Sequence, residues 1–553
     1  MSLEPQQARP RRPDGTRGGG AARRRCGARA LVAAGVLAAT VATGAHAGAQ
    51  SNYRSAPVGG RSQLLGGTGM TYGRDAAAAF LNPATAVLVD DERLSFSVNF
   101  YTVSYVYAPR WFVPGPIDRG RFGALDIDDA AMTDLEFNAL PSSLCLFFRM
   151  GDVKFLARAQ KDPRTREARL GLCFATISSQ SFDFAAEGFS ETRSPSVTRQ
   201  AQTLAQRYTR FAVGPTYAMH VSNALAVGAS FHASLANHRS LLAATATTYG
   251  SSPSAINSMF YSGSRGDSFQ LDATVGATLR FGKQTVGMSV RSPSVHVFGV
   301  GGANRQSYFD GAGSEAALVS AQGSFVSRSP PRLALGTGIE GTWGLAELDT
   351  SYHLPIDAYS AELEGHQVTT RDGTVDDQRA RFALTERARG VVNVAAGAEL
   401  FVSPRLSVLT GLSTDFSAVP QGALEGGSLF NYYPHQTHRV AGSFGVSSHG
   451  TGGELLVGAE LSAGWGQRLA VNSYQLPPTI GTTGHGTYQL MLVVAGSTSL
   501  RAIKRAVEDV REVITTPKPR APAQPAKPAE PYNPRTLEEE RRREGTERAP
   551  SRD

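Results

Sequence analysis

The sequence predicts an all-β protein: a transmembrane antiparallel β-barrel of about 14 strands with an N-terminal plug in its lumen. From about residue 92 to residue 500, segments close to ten residues long recur with apolar residues on one face and small or polar residues on the other. This alternation is typical of transmembrane β-strands. From the third segment onward, short connections alternate with long ones, as periplasmic turns and extracellular loops do in an outer-membrane barrel.

Residues 1–49 are predicted to be a signal peptide. Basic residues over 23–29 precede an apolar run over 31–43, and Ala45-His46-Ala47 is a small-x-small cleavage site. The run is shorter than the ~20 residues of a membrane-spanning helix. Because a β-barrel crosses the inner membrane unfolded, we expect Sec-type export and residence in the bacterial outer membrane. Outer-membrane lipid, lipopolysaccharide and the barrel assembly machinery are therefore expected partners.

The charge of the chain lies mostly in this leader. Eight Arg against Glu4 and Asp14 give the leader a charge of +6, out of +8 for the whole chain. The remainder is close to neutral, whereas a nucleic-acid-binding protein carries its basic residues on its folded surface. The composition therefore argues against a nucleic-acid partner.

Residues 50–91 are predicted to form the plug, or hatch. Fourteen strands enclose more space than side chains can fill, and the predicted inward faces carry mainly small residues. The segment 66–86, GGTGMTYGRDAAAAFLNPATA, is long enough to occupy that space. Asp75 stands near a helix start, and the following proline restricts Asn82 to an extended or turn geometry. The candidate plug and gating residues are Gly67, Gly69, Asp75, Asn82, Pro83 and Ala84.

Residues 92–500 are predicted to form the barrel. Its strands are expected at 93–108, 141–150, 167–187, 206–221, 223–236, 267–281, 284–293, 330–340, 343–353, 390–402, 405–416, 437–448, 452–464 and 486–500. The long connections are expected at about 237–266, 294–329, 354–389, 417–436 and 465–485. Residues 151–166 do not follow the pattern and are interpreted as an insertion or an extended periplasmic hairpin.

Several charged residues fall on predicted inward faces. One interpretation is that they form ion pairs between the wall and the plug, because buried charges need partners. The other is that one or two arginines hold the carboxylate of a ligand. The candidates are Arg280, Arg291, Arg332, Arg439 and Glu399, with Asp272, Glu347, Asp349, Glu454 and Glu460 predicted on the same face.

The sequence predicts no catalytic residue, metal site or cofactor. It contains no Gly-x-Ser-x-Gly elbow, and its scattered histidines do not have the spacing of metal ligands. Cys145 and Cys173 fall in neighbouring predicted strands. A cross-strand disulfide and two separate, lipid-shielded thiols are the alternatives, and we favour the separate thiols.

Residues 501–553 are predicted to lie in the periplasm. An amphipathic helix over 501–514 is followed by a Pro- and Ala-rich linker over 515–534 and by a charged run that lacks core-forming residues. The tail is interpreted as disordered, with contact to peptidoglycan or a periplasmic partner as the alternative.

The segment from Gly66 to Ala84, with its Ala-rich turn before Asn-Pro-Ala, resembles the plug of the FadL-type family of outer-membrane channels. Leu140-Pro141-Ser142-Ser143-Leu144 resembles the entry to that family's second strand, and the alternating pattern resembles its 14-stranded plugged barrel. The resemblance covers about residues 51–500. It implies passive, plug-gated uptake of hydrophobic small molecules, usually long-chain fatty acids or aromatic hydrocarbons, with Asn82, Pro83 and Ala84 positioning the plug. The alternative is a structural or secretion-associated barrel that binds a protein partner.

Overall fold

The structure, a computed structural model, describes residues 52–54, 58–89, 93–108, 130–137, 142–152, 167–191, 197–249, 256–310, 314–420, 436–450, 453–472 and 479–499. Almost all strand residues belong to one antiparallel sheet. Its strands are β1 Arg93–Ala108, β2 Ala130–Phe137, β3 Ser143–Arg149, β4 Arg169–Glu191, β5 Val197–His220, β6 Leu225–Tyr249, β7 Ile256–Phe281, β8 Gln284–Arg291, β9 Val295–Asp310, β10 Ser314–Gly323, β11 Arg332–Gly341, β12 Gly344–His353, β13 Ile356–Arg371, β14 Thr374–Ala388, β15 Val391–Ser403, β16 Leu406–Asp415, β17 Gln436–His449, β18 Gly453–Asn472 and β19 Thr479–Ser499.

These segments build a closed barrel of fourteen strands. β1 pairs with β19, which closes the sheet. β2 and β3 pair with successive parts of β1, so they form one interrupted barrel strand. In the same way β8 and β9 lie along β7 and form one barrel strand. Three more barrel strands are each built from two successive segments, namely β10 with β11, β12 with β13 and β14 with β15. The predicted count of fourteen is confirmed.

The wall is apolar outside and polar inside, the inverse of a soluble barrel. Large apolar side chains such as Leu335, Leu412 and Leu461 point outward and are 62 to 68% exposed. An apolar surface that runs around the whole barrel requires a membrane around it. Tyr101 and Tyr105 also point outward, and aromatic side chains on the outward face are typical of the membrane–water interface.

The predicted alternation of inward and outward residues is seen where the strand side chains are described. In β15, for example, the residues from Val391 to Glu399 alternate between buried and exposed, and Glu399 is among the buried ones. The alternation changes phase at bulges, for example between Asn99 and Tyr101 and between Thr176 and Ser178. An extra residue at a bulge moves the following side chains to the other face.

The prediction of long connections is wrong for most of the wall. Two of the predicted loops are strand extensions, because β6 continues through 237–249 and β7 includes 256–266. A third contains the hairpin of β9 and β10. In a fourth, β13 and β14 meet in a turn at Asp372 and Gly373, which both have positive φ. At about 3.3 Å per residue, the 25 residues of β6 span roughly 80 Å, far more than a bilayer core of ~30 Å. The outer parts of these strands contact water on their outward face, so they lack the apolar period that identified the inner parts.

Other sequence predictions fare differently. Strand β2 lies between the predicted strands 93–108 and 141–150, where no strand is predicted. Met150–Asp152 forms a 3-10 turn. Residues 153–166, the predicted signal peptide and the 501–553 tail lie outside the described residues. No helix among the described segments is both long and apolar enough to cross a membrane.

Cys145 and Cys173 form a disulfide, so the prediction of two separate thiols is wrong. The two residues lie directly opposite each other on β3 and β4. Both side chains are buried on the inward face, where they pack in one cluster with Ala76, Ala79 and Phe80 of the plug. The two thiols are therefore not shielded by lipid, as the prediction assumed, but lie side by side on the lumen face.

Reduction of this disulfide is expected to lower the free energy of unfolding of the barrel. The bond closes a loop with a sequence separation of 28, for which chain entropy predicts a contribution of roughly 3–4 kcal/mol. Urea unfolding in detergent, with and without reductant, measures the difference. A Cys145→Ala/Cys173→Ala variant is the control and should not respond to reductant. Equal stability of the wild-type protein in both conditions would contradict the prediction.

The N-terminal segment 58–89 fills the lumen as a plug, as predicted. It contains helix α1 Gly60–Leu64, helix α2 Ala77–Phe80 and a 3-10 helix Pro83–Leu88. Nearly all its residues are buried. It contacts the parts of the strands that lie next to the short turns at 282–283, 342–343 and 404–405. We call this the turn end of the barrel and the opposite end the loop end.

Candidate functional site

The plug lies against glycines of the wall. A Cβ added to Gly287 would lie 2.0 Å from the Met70 carbonyl oxygen, and one added to Gly411 would lie 2.0 Å from the Gly66 nitrogen. No side chain fits at such distances, so these positions let the plug backbone approach the sheet. Gly228 and Gly397 also lie against the plug backbone, and the wall glycines that lie against plug side chains are Gly276, Gly336, Gly338, Gly445 and Gly458.

Asp75 links the starts of the two plug helices. Its Oδ1 accepts a hydrogen bond from the Ala77 N–H at 2.9 Å, and its Oδ2 accepts from the Arg61 and Ser62 N–H groups at 3.0 and 3.3 Å. Burial raises the pKa of Asp75, and these N–H groups oppose the rise. The predicted position near a helix start agrees with this geometry.

Asn82 connects the two parts of the plug to each other and to the wall. Its Nδ2 donates to the Met70 carbonyl oxygen at 2.6 Å and to that of Ala277 in β7 at 3.3 Å. Its Oδ1 accepts from the Ala84 N–H at 3.2 Å, and Pro83 begins the 3-10 helix. The Asn-Pro-Ala sequence therefore ends one plug segment and starts the next against the wall.

The two glycines of the predicted plug set serve different contacts. Gly67 has a φ of +79°, and a Cβ there would overlap the guanidinium of Arg54. Gly69 donates its N–H to Asp349 Oδ2 at 2.9 Å, and the same oxygen accepts from the Met70 N–H at 3.1 Å. Carboxylates of β12 thus bind the plug through its backbone.

The strongest polar contact between plug and wall is made by Arg61. Its guanidinium pairs with Glu399 of β15 and, at 2.9 Å, with Glu454 of β18. Arg61 is 5% and Glu399 0% exposed. Burial lowers the pKa of Arg61, but the carboxylates of Glu454, Glu399 and Asp75 raise it by more, so Arg61 stays charged. For Glu399 the ion-pair interpretation therefore describes the structure.

Ser407 and His449 lie beside this ion pair without the geometry of a hydrolase. Ser407 Oγ donates to Glu399 Oε1 at 2.5 Å and lies 3.0 Å from His449 Nε2. Since the hydroxyl proton points at Glu399, the imidazole must donate its Nε2 proton to Ser407, whereas a general base would need a free Nε2. Ser407 is also completely buried, and we assign this group to plug seating.

A cavity of about 100 Å³ lies above the plug, at mid-height in the lumen. Arg291 of β8 and Arg332 of β11 both line it, so the structure brings these two predicted lumen charges together. Nη2 of Arg332 donates to the Leu81 carbonyl oxygen of the plug at 3.0 Å. The remaining wall is mixed, with apolar side chains such as Phe80 and Ile177 opposite the charged ones.

Two predicted lumen charges lie elsewhere. Arg280 is at the rim of the turn end, where its side chain is 58% exposed and its Nε donates to the Gly282 carbonyl oxygen. Arg439 lines a second, smaller cavity together with Arg54, Asp415 and Glu460. Within the described part of the chain, no group of three His, Cys, Asp or Glu residues is placed to hold a metal ion.

The loop half of the lumen carries an apolar patch that the sequence analysis does not identify. Inward-facing side chains of β1, β4, β5, β6 and β7 pack there in one cluster. The second bulge, in β4, reverses the inward face just before this patch and conceals its pattern in the sequence. The cluster consists of Val106, Ala108, Phe182, Phe184, Leu204, Leu242, Ala244 and Phe260.

Fold and site together define a plugged transmembrane β-barrel with an apolar cluster in the loop half of its lumen, where Arg468 also stacks on Phe184. Charged side chains lie in the middle of the lumen, and the plug closes the turn end. A 14-stranded barrel with an N-terminal plug is the fold that the FadL-type resemblance implies, and on this point the resemblance is confirmed.

Comparison with known proteins gives structural neighbours only. No family model matches the chain, and no curated protein sequence matches it. The fold is similar to the Pseudomonas putida toluene transporter TodX, with 14% identity over 81% of this chain and 99% of that one and a TM-score of 0.48. It is also similar to a Pseudomonas aeruginosa FadL homologue, at 13% identity, 82% and 100% coverage and a TM-score of 0.47. The Ralstonia pickettii toluene transporter TbuX has 13% identity, 81% and 99% coverage and a TM-score of 0.44. At these identities the likeness concerns the fold.

Proposed function

We propose that the chain is an outer-membrane channel for passive uptake of hydrophobic small molecules, gated by movement of its N-terminal plug. The observation that carries the proposal is the division of the lumen. An apolar patch of eight inward side chains lies toward the loop end, and a plug bound by backbone and side-chain contacts closes the turn end. An apolar molecule gains free energy on leaving water for such a patch, by roughly 25 cal/mol per Å² of surface buried.

The plug is suited to move as a unit. Asp75 and Asn82 hold its parts to one another. Its contacts with the wall are the Arg61 ion pairs, the carboxylates of β12 and the Asn82 amide, together with two apolar clusters around Phe80 and Leu64. The wall strands pair with each other without it. Displacement of the plug therefore leaves the barrel closed by its own hydrogen bonds and opens a path to the turn end. Long-chain fatty acids and aromatic hydrocarbons are the proposed cargo.

Binding of a fluorescent long-chain fatty acid to the detergent-purified barrel tests the proposal, with toluene as a competitor. We expect saturable binding and its displacement by toluene, because both ligands use the apolar patch. A folded barrel that binds neither would overturn the channel and favour the alternative, a structural or secretion-associated barrel with a protein partner.

An Asn82→Ala variant is expected to speed passage of the probe into proteoliposomes by roughly fivefold to a hundredfold. Its amide donates to the Met70 and Ala277 carbonyl oxygens, and a buried group left without its partner costs roughly 1–3 kcal/mol. Asn237→Ala is the matched control, because Asn237 is exposed and bonds only to Asp267 of the neighbouring strand. Equal rates for both variants would contradict a gating role for Asn82.

A further inference from the structure

The mid-lumen cavity has more positive than negative charge available to a ligand. Three guanidinium groups line it, those of Arg54, Arg291 and Arg332, against the carboxylates of Asp272 and Asp349. Arg210 Nη2 already donates to Asp272 at 2.6 Å. Asp349 already accepts two plug N–H groups. Arg54 also faces Asp415 and Glu460 in the smaller cavity, so the excess positive charge of the lining comes from Arg291 and Arg332.

Several donors in this lining have no acceptor. Nε of Arg291, Nε of Arg332 and the Tyr53 hydroxyl are buried without a hydrogen-bond partner among the described residues, as is Nδ1 of His353. Arg332 is 7% and His353 5% exposed. A buried cation without a partner is costly, and nearly all such groups in proteins are satisfied by a partner, an ordered water or a ligand.

We propose that this cavity is a binding site for a compact oxyanion, and that the bound anion holds the plug segment to the wall. Arg291, Arg332 and His353 belong to the wall, while Tyr53 and Arg54 belong to the N-terminal segment that precedes α1. An anion between them contacts both, so it neutralises their repulsion and joins them. Arginine is well suited to this because its planar fork of donors matches carboxylate and phosphate oxygens.

The site limits the size of the ligand. A cavity of about 100 Å³ is somewhat smaller than an engineered cavity of 150 Å³ that holds benzene. It accepts inorganic phosphate or the head group of a longer carboxylic acid, but not a whole acyl chain. The inference goes beyond the proposed function, since the cavity would bind an anion whether or not the barrel transports a hydrophobic cargo.

Anion binding and plug position are linked if the anion contacts both the wall and the plug segment. By reciprocity, an anion that binds the seated plug more tightly than the displaced one must stabilise the seated state by the same factor. Anion occupancy is therefore expected to slow plug opening and to protect the plug from protease.

The experiment measures the heat-unfolding midpoint of the folded barrel and the rate of trypsin cleavage in the plug, at rising concentrations of inorganic phosphate. Ionic strength is held constant with potassium chloride, whose anion has no oxygen acceptors to match the guanidinium fork. We expect phosphate to raise the midpoint and slow the cleavage saturably. Arg291→Gln should weaken phosphate binding at least about tenfold, as the loss of a hydrogen bond to a charged group does. Arg332→Gln should weaken it similarly.

Arg280→Gln is the matched control, because Arg280 is an exposed arginine at the rim of the same wall. Without phosphate, Arg291→Gln should be about as stable as wild type, since Nε of Arg291 has no acceptor among the described residues and Asp272 keeps its ion pair with Arg210. Octanoate and octanol separate the two sources of the anion. Competition of octanoate with phosphate, which octanol does not reproduce, supports a cargo carboxylate in the site, and its absence supports a free oxyanion.

Phosphate binding that is equal in wild type, Arg291→Gln and Arg332→Gln would overturn the inference, as would the lack of any saturable phosphate effect. The toluene measurement is independent of this result. If the barrel binds toluene but no anion, the proposed function stands and the anion site is refuted. If it binds phosphate but no apolar probe, the anion site stands and the proposed function is refuted.

Discussion

Replacement of Arg61 by alanine is expected to unseat the plug. The guanidinium pairs with Glu399 and Glu454, and Glu399 has no exposed surface. Removal of one partner leaves a buried carboxylate without its counter-charge, which typically costs about 3–5 kcal/mol. This exceeds a single neutral hydrogen bond, which contributes about 0.5–1.5 kcal/mol. Because the wall strands pair with each other independently of the plug, the loss falls on plug seating rather than on the barrel.

Two measurements detect the unseated plug. Trypsin should cleave at Arg74 in the Arg61→Ala variant, and ion conductance across a planar bilayer should rise. Arg74→Ala is the matched control: Arg74 is also a plug arginine, but its ion pair with Glu340 is 32% and 28% exposed, and such pairs contribute little. Unchanged conductance and protease resistance in Arg61→Ala would mean that other contacts alone hold the plug.

The sequence predicts the architecture well because the membrane imposes a simple period. Each inner strand segment carries apolar residues toward lipid at every second position, so the strands and their inward faces can be located from residue types alone. The same rule fails where a strand leaves the bilayer. Residues 237–249 have polar residues on both faces, so they resemble a loop although they continue β6.

The candidate site is only partly readable from the sequence. Glu399 and the arginines at 291 and 332 are predicted on the inward face because charge there interrupts a run of small residues. Their partners are not readable, because Arg61 and Glu399 are 338 residues apart and nothing local indicates the register between plug and wall. Inward glycines such as Gly411 do indicate where the plug contacts the wall. However, small residues indicate only that space is free, not which plug atom fills it.

The disulfide illustrates the same limit. Neighbouring strands place Cys145 near Cys173, yet only the exact register puts them opposite each other. A shift by one residue would turn one of the two side chains to lipid.

Substitution of Gly411 by valine is expected to displace the plug while the barrel still folds. A Cβ at this position would lie 2.0 Å from the Gly66 nitrogen and 2.3 Å from the Leu65 carbonyl carbon, both of them backbone atoms that no rotamer change can move. Gly66 has a φ of +67°, so the plug turn has little freedom to adapt. Overpacking of this kind costs about 1–3 kcal/mol or more. Valine favours the strand itself, so the clash destabilises the plug contact and not the sheet.

Gly442→Val is the matched control on the adjacent strand, one position along in the register, where the added Cβ points outward and the nearest atom is Leu412 Cδ2 at 3.5 Å. We expect both variants to keep the compact, heat-modifiable form of a folded barrel on a gel. Only Gly411→Val should become sensitive to trypsin at Arg61 and Arg74 and show raised conductance. In a chain that lacks residues 58–89 the Gly411→Val substitution should have no further effect on conductance, because two changes that act through one contact are not additive. An additive rise in that background would place the effect of Gly411 in the wall and would refute the role of the glycines as the seat of the plug.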